Sequence, residues 1–389
     1  MRHKASLLVL FSVVIVDLIG FGIVMPVLPF YAKSYGASAA TLGLLFTSYS
    51  GAQFVCAPLW GRLSDRIGRR PVILLTVTGT ALSLLFLGLA HSLAGLFAAR
   101  LLAGAFGANV SVASAYVADV TDEAERTRWM AMIGASFGIG FTLGPAIGGL
   151  LAPFGYHVPM LAAAGIAAIN VAFAAVTLRE PEHHAAAAVS SDGPRNRREV
   201  LRDPLLLRLC IAYFAFSVGV TQLEVVFAYF MKDRFGFDAR EFGLLLVGMA
   251  IVMGAIQGGG MKALAARFGE RTLVVTGSLL LAVAFLAIPF APAIGLLFAV
   301  LIVAAVGRAI TQPPLMSLAS HAATAKTRGV VMGTFQSSAS LARVVGPLAA
   351  GLYDIYPVAP FHLAGGLLLV VAFLGTALPV RIGQAQESV

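Results

Sequence analysis

Charge is scarce in this chain: Asp, Glu, Lys and Arg make up 12% of its 389 residues, against roughly a quarter in water-soluble domains. Cysteine is scarcer still. Cys56 and Cys210 lie in different apolar runs, which excludes a disulfide framework and a cysteine-based metal motif. The seven histidines show no ligand spacing apart from the adjacent His183-His184, so no metal is expected. Gly258-Gly259-Gly260 lacks the lysine of a phosphate-binding loop, so ATP binding has no support. No nucleophile, base and orienter can be assembled by spacing, which leaves enzyme catalysis without a basis. What the chain has in abundance is apolar surface, with 59% hydrophobic residues. Water cannot be its main solvent.

Length divides the apolar sequence into spans. A membrane helix needs about 20 predominantly apolar residues, and twelve stretches qualify: 6–28, 42–61, 71–90, 94–118, 129–151, 158–178, 205–230, 242–264, 272–291, 293–319, 329–352 and 358–380. The start Met1-Arg2-His3-Lys4 resembles a signal peptide, but no small-residue cleavage site follows, so the first run reads as a retained helix. The net charge of +9 comes from 27 Lys and Arg that sit in short loops, a distribution unlike a nucleic-acid face. With the N-terminus inside, twenty of them fall in inward loops, only Lys33, Lys232, Arg234 and Arg240 fall outside, and Arg100, Arg308 and Arg343 stay within spans. The positive-inside rule therefore predicts both termini in the cytoplasm.

The longest connection, 179–204, holds Pro181, an Ala run, Ser190-Ser191-Asp192-Gly193-Pro194 and several arginines, and reads as a polar linker. It separates six-span halves, 1–178 and 205–389, that match at an offset near 201. Leu96-Phe97-Ala98 recurs as Leu297-Phe298-Ala299, Arg66-x-Gly68-x-Arg70 as Arg267-x-Gly269-x-Arg271, and Gly144-Pro145 as Gly346-Pro347. Several matches in one order at nearly one offset indicate duplication.

Residues 61–70, Gly-Arg-Leu-Ser-Asp-Arg-Ile-Gly-Arg-Arg, lie in the loop between spans two and three. They resemble the signature of the major facilitator superfamily, whose fold is an all-α integral membrane protein of two six-helix bundles with pseudo-two-fold symmetry. Three further stretches are similar to those of its twelve-helix drug/proton antiporters, the group that includes the tetracycline antiporters. They are Asp17 to Pro29 with Gly20, Gly22 and Pro26; Arg100-Leu-Leu-Ala-Gly104-Ala-Phe-Gly107; and the fifth-span series Gly134, Gly138, Gly140, Gly144-Pro145 and Gly148-Gly149. The chain departs from tetracycline antiporters in having no acid in spans three and nine and in carrying Glu224 in span seven, which argues against tetracycline as substrate.

Ionisable groups at bilayer depth are costly and invite a functional reading. Five are present. Asp17, about eleven residues into its span, lies about 16 Å deep at 1.5 Å per residue; it is the leading proton carrier, or else a fixed partner of Arg100. The resemblance implies that Arg100 sits beside Asp17 and tunes its proton affinity; the plain alternative is a side chain snorkelling outward. Glu224, among Phe216, Val220 and Phe227, could bind a cationic amine, take a second proton or merely reach outer water. Gln222 faces another way. Arg343 with Gln336 and Ser340, and Arg308 with Gln312, form polar stripes that could hold an anionic substrate, pair with Glu224 or Asp17, or serve only as structural hydrogen bonds. Phe21, Met25, Tyr31, Phe227, Tyr229 and Met316 could offer an adaptable substrate surface.

The resemblance assigns the loop signature, Gly61, Asp65, Arg66, Gly68, Arg69 and Arg70, to a latch between conformations. Asp65 would meet the start of the eleventh span near Thr327-Arg328-Gly329, and Arg69 would pair with Asp119. The corresponding second-half loop has Lys262 for Gly61 and Ala266 for Asp65, so a one-sided latch is expected. Gly134, Gly138, Gly144, Pro145 and Gly148 would form a tight contact across the halves, or plain packing. The function implied is proton-coupled export of small lipophilic or amphipathic compounds by a monomer in a lipid bilayer, the bacterial inner membrane, with protons and substrate as partners. The proton gradient supplies energy, with no cofactor and no nucleic acid. The rivals are an importer or proton symporter for a metabolite and a non-transporting receptor.

Overall fold

In lipid a backbone can satisfy its polar groups only as helices or a closed barrel. The computed structural model describes residues 2–121, 123–180, 202–323 and 328–378, and among them it contains no strand. Among the described residues eleven helices are long and apolar enough to cross a membrane. The expected span 329–352 is not among the eleven. Gln336, Ser337, Ser338, Ser340 and Arg343 make it too polar, and it tightens into a 3₁₀ turn, Gly346–Ala350, around Pro347.

In chain order the helices are α1 (Arg2–Ser34), α2 (Ala39–Ile67), α3 (Arg69–Gly88), α4 (Leu93–Phe106), α5 (Asn109–Val120), α6 (Glu123–Leu151), α7 (His157–Thr177) and α8 (Pro204–Val225). They continue as α9 (Phe227–Phe235), α10 (Ala239–Ala255), α11 (Met261–Phe268), α12 (Glu270–Ala287), α13 (Ile294–His321), α14 (Arg328–Val345), α15 (Gly351–Ile355) and α16 (Ala359–Thr376). Side-chain caps fix several starts: Ser38 accepts from the Thr41 amide, Ser92 from Gly95, and Asp203 from Leu205 and Leu206. These satisfy amides that a helix leaves open at its first turn.

The described residues form two compact units, one within Met1–Ala187 and Ala228–Gly248, the other within Ala188–Phe227 and Met249–Val389. In the first, α1 lies against α6 along a seam of glycines. A Cβ on Gly22 would stand 3.0 Å from Gly144 Cα, and one on Gly148 would stand 2.5 Å from the Ile23 carbonyl. In the glycine row read from sequence as a contact across the halves, Gly144 and Gly148 pack on span one of the same half, while Pro145 does meet the second half, its carbonyl 2.7 Å from where a Cβ on Gly243 would stand. Gly149, beside that row, meets Gly243 at the start of α10, which belongs to the same unit.

The fourth span differs from the single helix expected. It breaks at Gly107-Ala108 into α4 and α5. Carbonyls freed near the break are taken by α2: Gln53 Nε2 donates to Gly107 O at 2.5 Å, and Trp60 Nε1 to Ala105 O at 2.6 Å. Non-helical backbone survives at membrane depth because protein groups re-satisfy it.

In the second unit α8 packs on α14 and α16, and α12 packs on α13 and α16. The duplication persists at atomic level. Gly68 and Gly269 both have positive φ, 107° and 77°. Arg70 Nη2 donates to Ala175 O, and Arg271 Nη2 donates to Thr376 O, so both the arginine and its acceptor recur at the offset seen in the sequence.

Candidate functional site

Midway along α1, Asp17 is half-buried, and its carboxylate accepts a hydrogen bond from Asn109 Nδ2 at 2.7 Å. Asn109 is the first residue of α5, so the break in span four turns its amide toward α1; the same Nδ2 lies 3.3 Å from Thr80 Oγ1. Arg100 is not the partner found for Asp17. It is 3% exposed, with its guanidinium carbon 4.1 Å from the Tyr49 ring centroid and 5.7 Å from that of Phe46. A desolvated cation over an aromatic face is held by the ring quadrupole, and Arg100 Nε has no hydrogen-bond partner among the described residues. Neither the expected pairing with Asp17 nor the outward snorkel is what this geometry contains. The reason is the ring of Tyr49 on α2, which caps the guanidinium. Phe21 is half-buried against Tyr49 and Phe141, and Met25 is buried.

In the second unit the structure brings Glu224 and Arg308 together, Nη2 to Oε1 at 2.9 Å, with about a quarter of each side chain exposed. Tyr213 on α8 is buried beside α14. Its ring is stacked on Phe335 with centroids 4.1 Å apart. Arg343 and Gln336 are exposed on α14, and Arg343 Nη2 donates to Ser340 Oγ at 3.3 Å. Phe227 is 0% exposed and packs edge-on against Phe361. It is core and cannot present itself to a ligand here, a correction that follows from its position just past the break between α8 and α9.

The α2–α3 turn gathers the loop-signature residues within the first unit. Arg69 Nε donates to Asp119 Oδ2 at 2.7 Å, and Arg69 Nη1 lies 2.6 Å from both Ser64 Oγ and Asp65 Oδ1. Arg70 Nε and Nη2 donate to Leu178 O and Ala175 O at the end of α7, each at 2.7 Å. Glu180 returns the contact by accepting the Arg69 and Arg70 amides at 2.7 and 2.9 Å, where a helix N-terminus favours a carboxylate. Arg66 is exposed and Gly61 has open space around it. Of the stretch Asp65 was expected to meet, Thr327 lies outside the described residues, as do linker residues 181–201. In the second unit Glu270 stands at Arg69's repeat position; its carboxylate accepts from Ser317 Oγ and lies 3.7 Å from His321 Nδ1.

Several participants were missed by sequence reasoning. Asn109 is an isolated polar residue, and only the Gly107 break beside it could have drawn notice. Gln222 is 0% exposed and donates to Gly346 O at 2.9 Å; the repeated Gly-Pro pair was its available signal. Segment 228–248 carries three further ties within the first unit. Lys33 pairs with Asp233, Tyr229 donates to Ala37 O at 3.0 Å, and Phe30 meets Phe242 edge-on. Nearby, Tyr156 lines a cavity of about 300 Å³ with Asp238 and Arg240. Burial and the Asp238 carboxylate push the Tyr156 hydroxyl above its ordinary pKa.

A duplicated set of membrane-crossing helices with ionisable side chains held at mid-span is the architecture of a secondary transporter. The Major Facilitator Superfamily model matches residues 10–262 and again 209–385. The tetracycline resistance protein, class D, of Salmonella ordonez is 32% identical over 347 residues, covering 86% of each chain. Multidrug resistance protein 2 of Bacillus subtilis is 29% identical over 383 residues, covering 95% of this chain and 94% of its own. The crystal structure of the human organic anion transporter MFSD10 (TETRAN) superposes with a TM-score of 0.70 at 30% identity, covering 96% of this chain and 99% of that one. The chain belongs to the Major Facilitator Superfamily. It is accordingly a multi-pass membrane transporter of small molecules and not an enzyme.

Proposed function

We propose that this transporter is a proton-coupled exporter of small lipophilic or amphipathic compounds, working by alternating access of halves 1–178 and 205–389 about the linker 179–204. In this reading it acts as a monomer in a bacterial inner membrane with both termini cytoplasmic. It draws on the proton gradient and needs no cofactor. The observation that carries the reading is Asp17, an acid midway along α1 whose described partner is the neutral amide of Asn109. Because no ion pair has to break, gaining or losing a proton there changes the charge of the span directly. Glu224 is a second acid, but its pairing with Arg308 ties its charge to that of a cation. Names among the relatives, a tetracycline resistance protein and a multidrug resistance protein, favour export of drug-like compounds.

The runner-up is an importer or proton symporter of the same fold. Purified protein in proteoliposomes, loaded with a fluorescent lipophilic substrate and given an imposed pH gradient, separates the two. Antiport requires substrate to accumulate on the side from which protons leave; movement of substrate together with protons rejects export coupling. Asp17→Asn should abolish the driven component and leave membrane insertion intact.

A further inference from the structure

Span two carries a groove that the transport reading leaves unused. Cys56, Leu59, Trp60 and Leu63 of α2 line it together with Ala105 of α4, around a volume of about 220 Å³. Trp60 is fixed as its wall, because Nε1 is spent on Ala105 O at 2.6 Å and the ring lies against Phe106 with centroids 5.5 Å apart. The side chains that remain to face outward are apolar, and Leu59 is 54% exposed. Toward the α2–α3 turn, where Glu180 accepts the first amides of α3, this wall gives way to two exposed arginines, Arg62 and Arg66. We infer that the groove holds an acyl chain of an anionic phospholipid whose phosphate is bound by Arg62 and Arg66.

Register puts the two arginines over the groove. Leu59, Leu63 and Arg66 follow at spacings of four and three, and Arg62 lies three past Leu59, so both cations continue the edge that Leu59 begins. The rise from Cys56 to Arg66 is about 15 Å at 1.5 Å per residue, which matches one leaflet's share of a hydrocarbon core about 30 Å thick. A chain lying in the groove therefore brings its headgroup to the level of Arg66. The neighbouring acids are engaged elsewhere: Asp65 and Asp119 pair with Arg69, and Glu180 accepts the amides of Arg69 and Arg70. Arg62 and Arg66 are left without an ion-pair partner among the described residues. Arginines at a membrane surface attract anionic lipid, and the guanidinium fork fits two phosphate oxygens. A zwitterionic headgroup would bring a cation of its own to the same place. The inference is independent of the direction and the coupling of transport.

The test reads the groove through Trp60. Trp60 and Trp129 are the two tryptophans of the chain, so Trp129→Phe isolates the fluorescence of the groove. Should that variant fail to fold, the difference between the unaltered protein and Trp60→Phe supplies the same signal. The full chain is reconstituted in phosphatidylcholine vesicles with a minor fraction of lipid carrying dibrominated acyl chains, either as phosphatidylglycerol or as phosphatidylcholine. Brominated phosphatidylglycerol should quench Trp60 at least about twofold more strongly than brominated phosphatidylcholine. Replacing both arginines, Arg62→Gln with Arg66→Gln, should equalise the two lipids, while Arg62→Lys with Arg66→Lys should keep part of the preference. Equal quenching by the two lipids before the arginines are changed, or a preference that survives the paired Gln substitutions, would overturn the inference. Quenching by neither lipid would mean that protein fills the groove, a second copy of the chain included, and would overturn it equally.

Discussion

At the scale of the residue, function turns on which partners the buried ionisable groups have. Asp17 rests on a neutral amide and Arg100 on an aromatic ring. The two charges are therefore separately compensated. Asn109→Ala removes a donor to a carboxylate away from bulk water, and hydrogen bonds to charged groups are worth about 1.5–3 kcal/mol. The expected outcome is a lowered melting temperature of the purified protein when Asp17 is charged. In an Asp17→Asn background the same substitution should cost less; equal costs in both backgrounds would deny the bond its charge dependence. Arg69 and Asp119 could be matched from the sequence, because the loop signature names one and topology puts the other at the same end of the bundle. Asn109 could not, since nothing in its own letters announces that the helix breaks two residues earlier.

At the scale of the element, small residues and breaks position the site more than regular helix does. The seam of Gly22, Gly140, Gly144 and Gly148 sets the distance between α1 and α6 and hence the placement of Asp17. Gly144→Leu should cost about 3 kcal/mol or more by overpacking, visible as loss of the monodisperse folded species in size-exclusion chromatography. Gln53 holds the break that aims Asn109. Gln53→Leu leaves the Gly107 carbonyl without that donor, and a buried carbonyl so deprived costs about 1–3 kcal/mol. Its melting temperature should fall, and proton-coupled flux should fall with it. Gly68 combines a φ of 107° with a Cβ position 2.8 Å from Glu180 Oε1. Gly68→Ala is expected to cost about 1–3 kcal/mol through backbone strain, and protease susceptibility of the α2–α3 turn would report it. Periodicity gave the spans from apolar length alone. The break in span four was not legible, because Gln53 and Trp60, which make it affordable, come from another span.

At the scale of the whole molecule, the duplicated sequence reappears as duplicated geometry. Arg70 and Arg271 each reach a carbonyl near the end of the last helix of their half, and Gly68 and Gly269 each begin a helix from positive φ. Repetition of this kind was readable because identical letters recur at one offset. The contact of Glu270, at the repeat position of Arg69, with Ser317 was not, because it joins residues far apart in the chain and no repeated letters mark it. The packing of 228–248 on the first half's chain was likewise hidden, since Lys33 and Asp233 are 200 residues apart. Division of the chain by its linker therefore describes the repeat, while contacts draw the boundary of the compact units through α10.

Proton-coupled export through Asp17 requires that substrate binding and protonation of that carboxylate oppose each other. That requirement is tested most directly by measuring protons released from detergent-purified protein, in weakly buffered solution, when a lipophilic substrate is added. Release should saturate with substrate and disappear in Asp17→Asn while that variant still binds substrate. Undiminished release from Asp17→Asn, or saturable binding to the unaltered protein with no release at any pH between about 5 and 8, would contradict it.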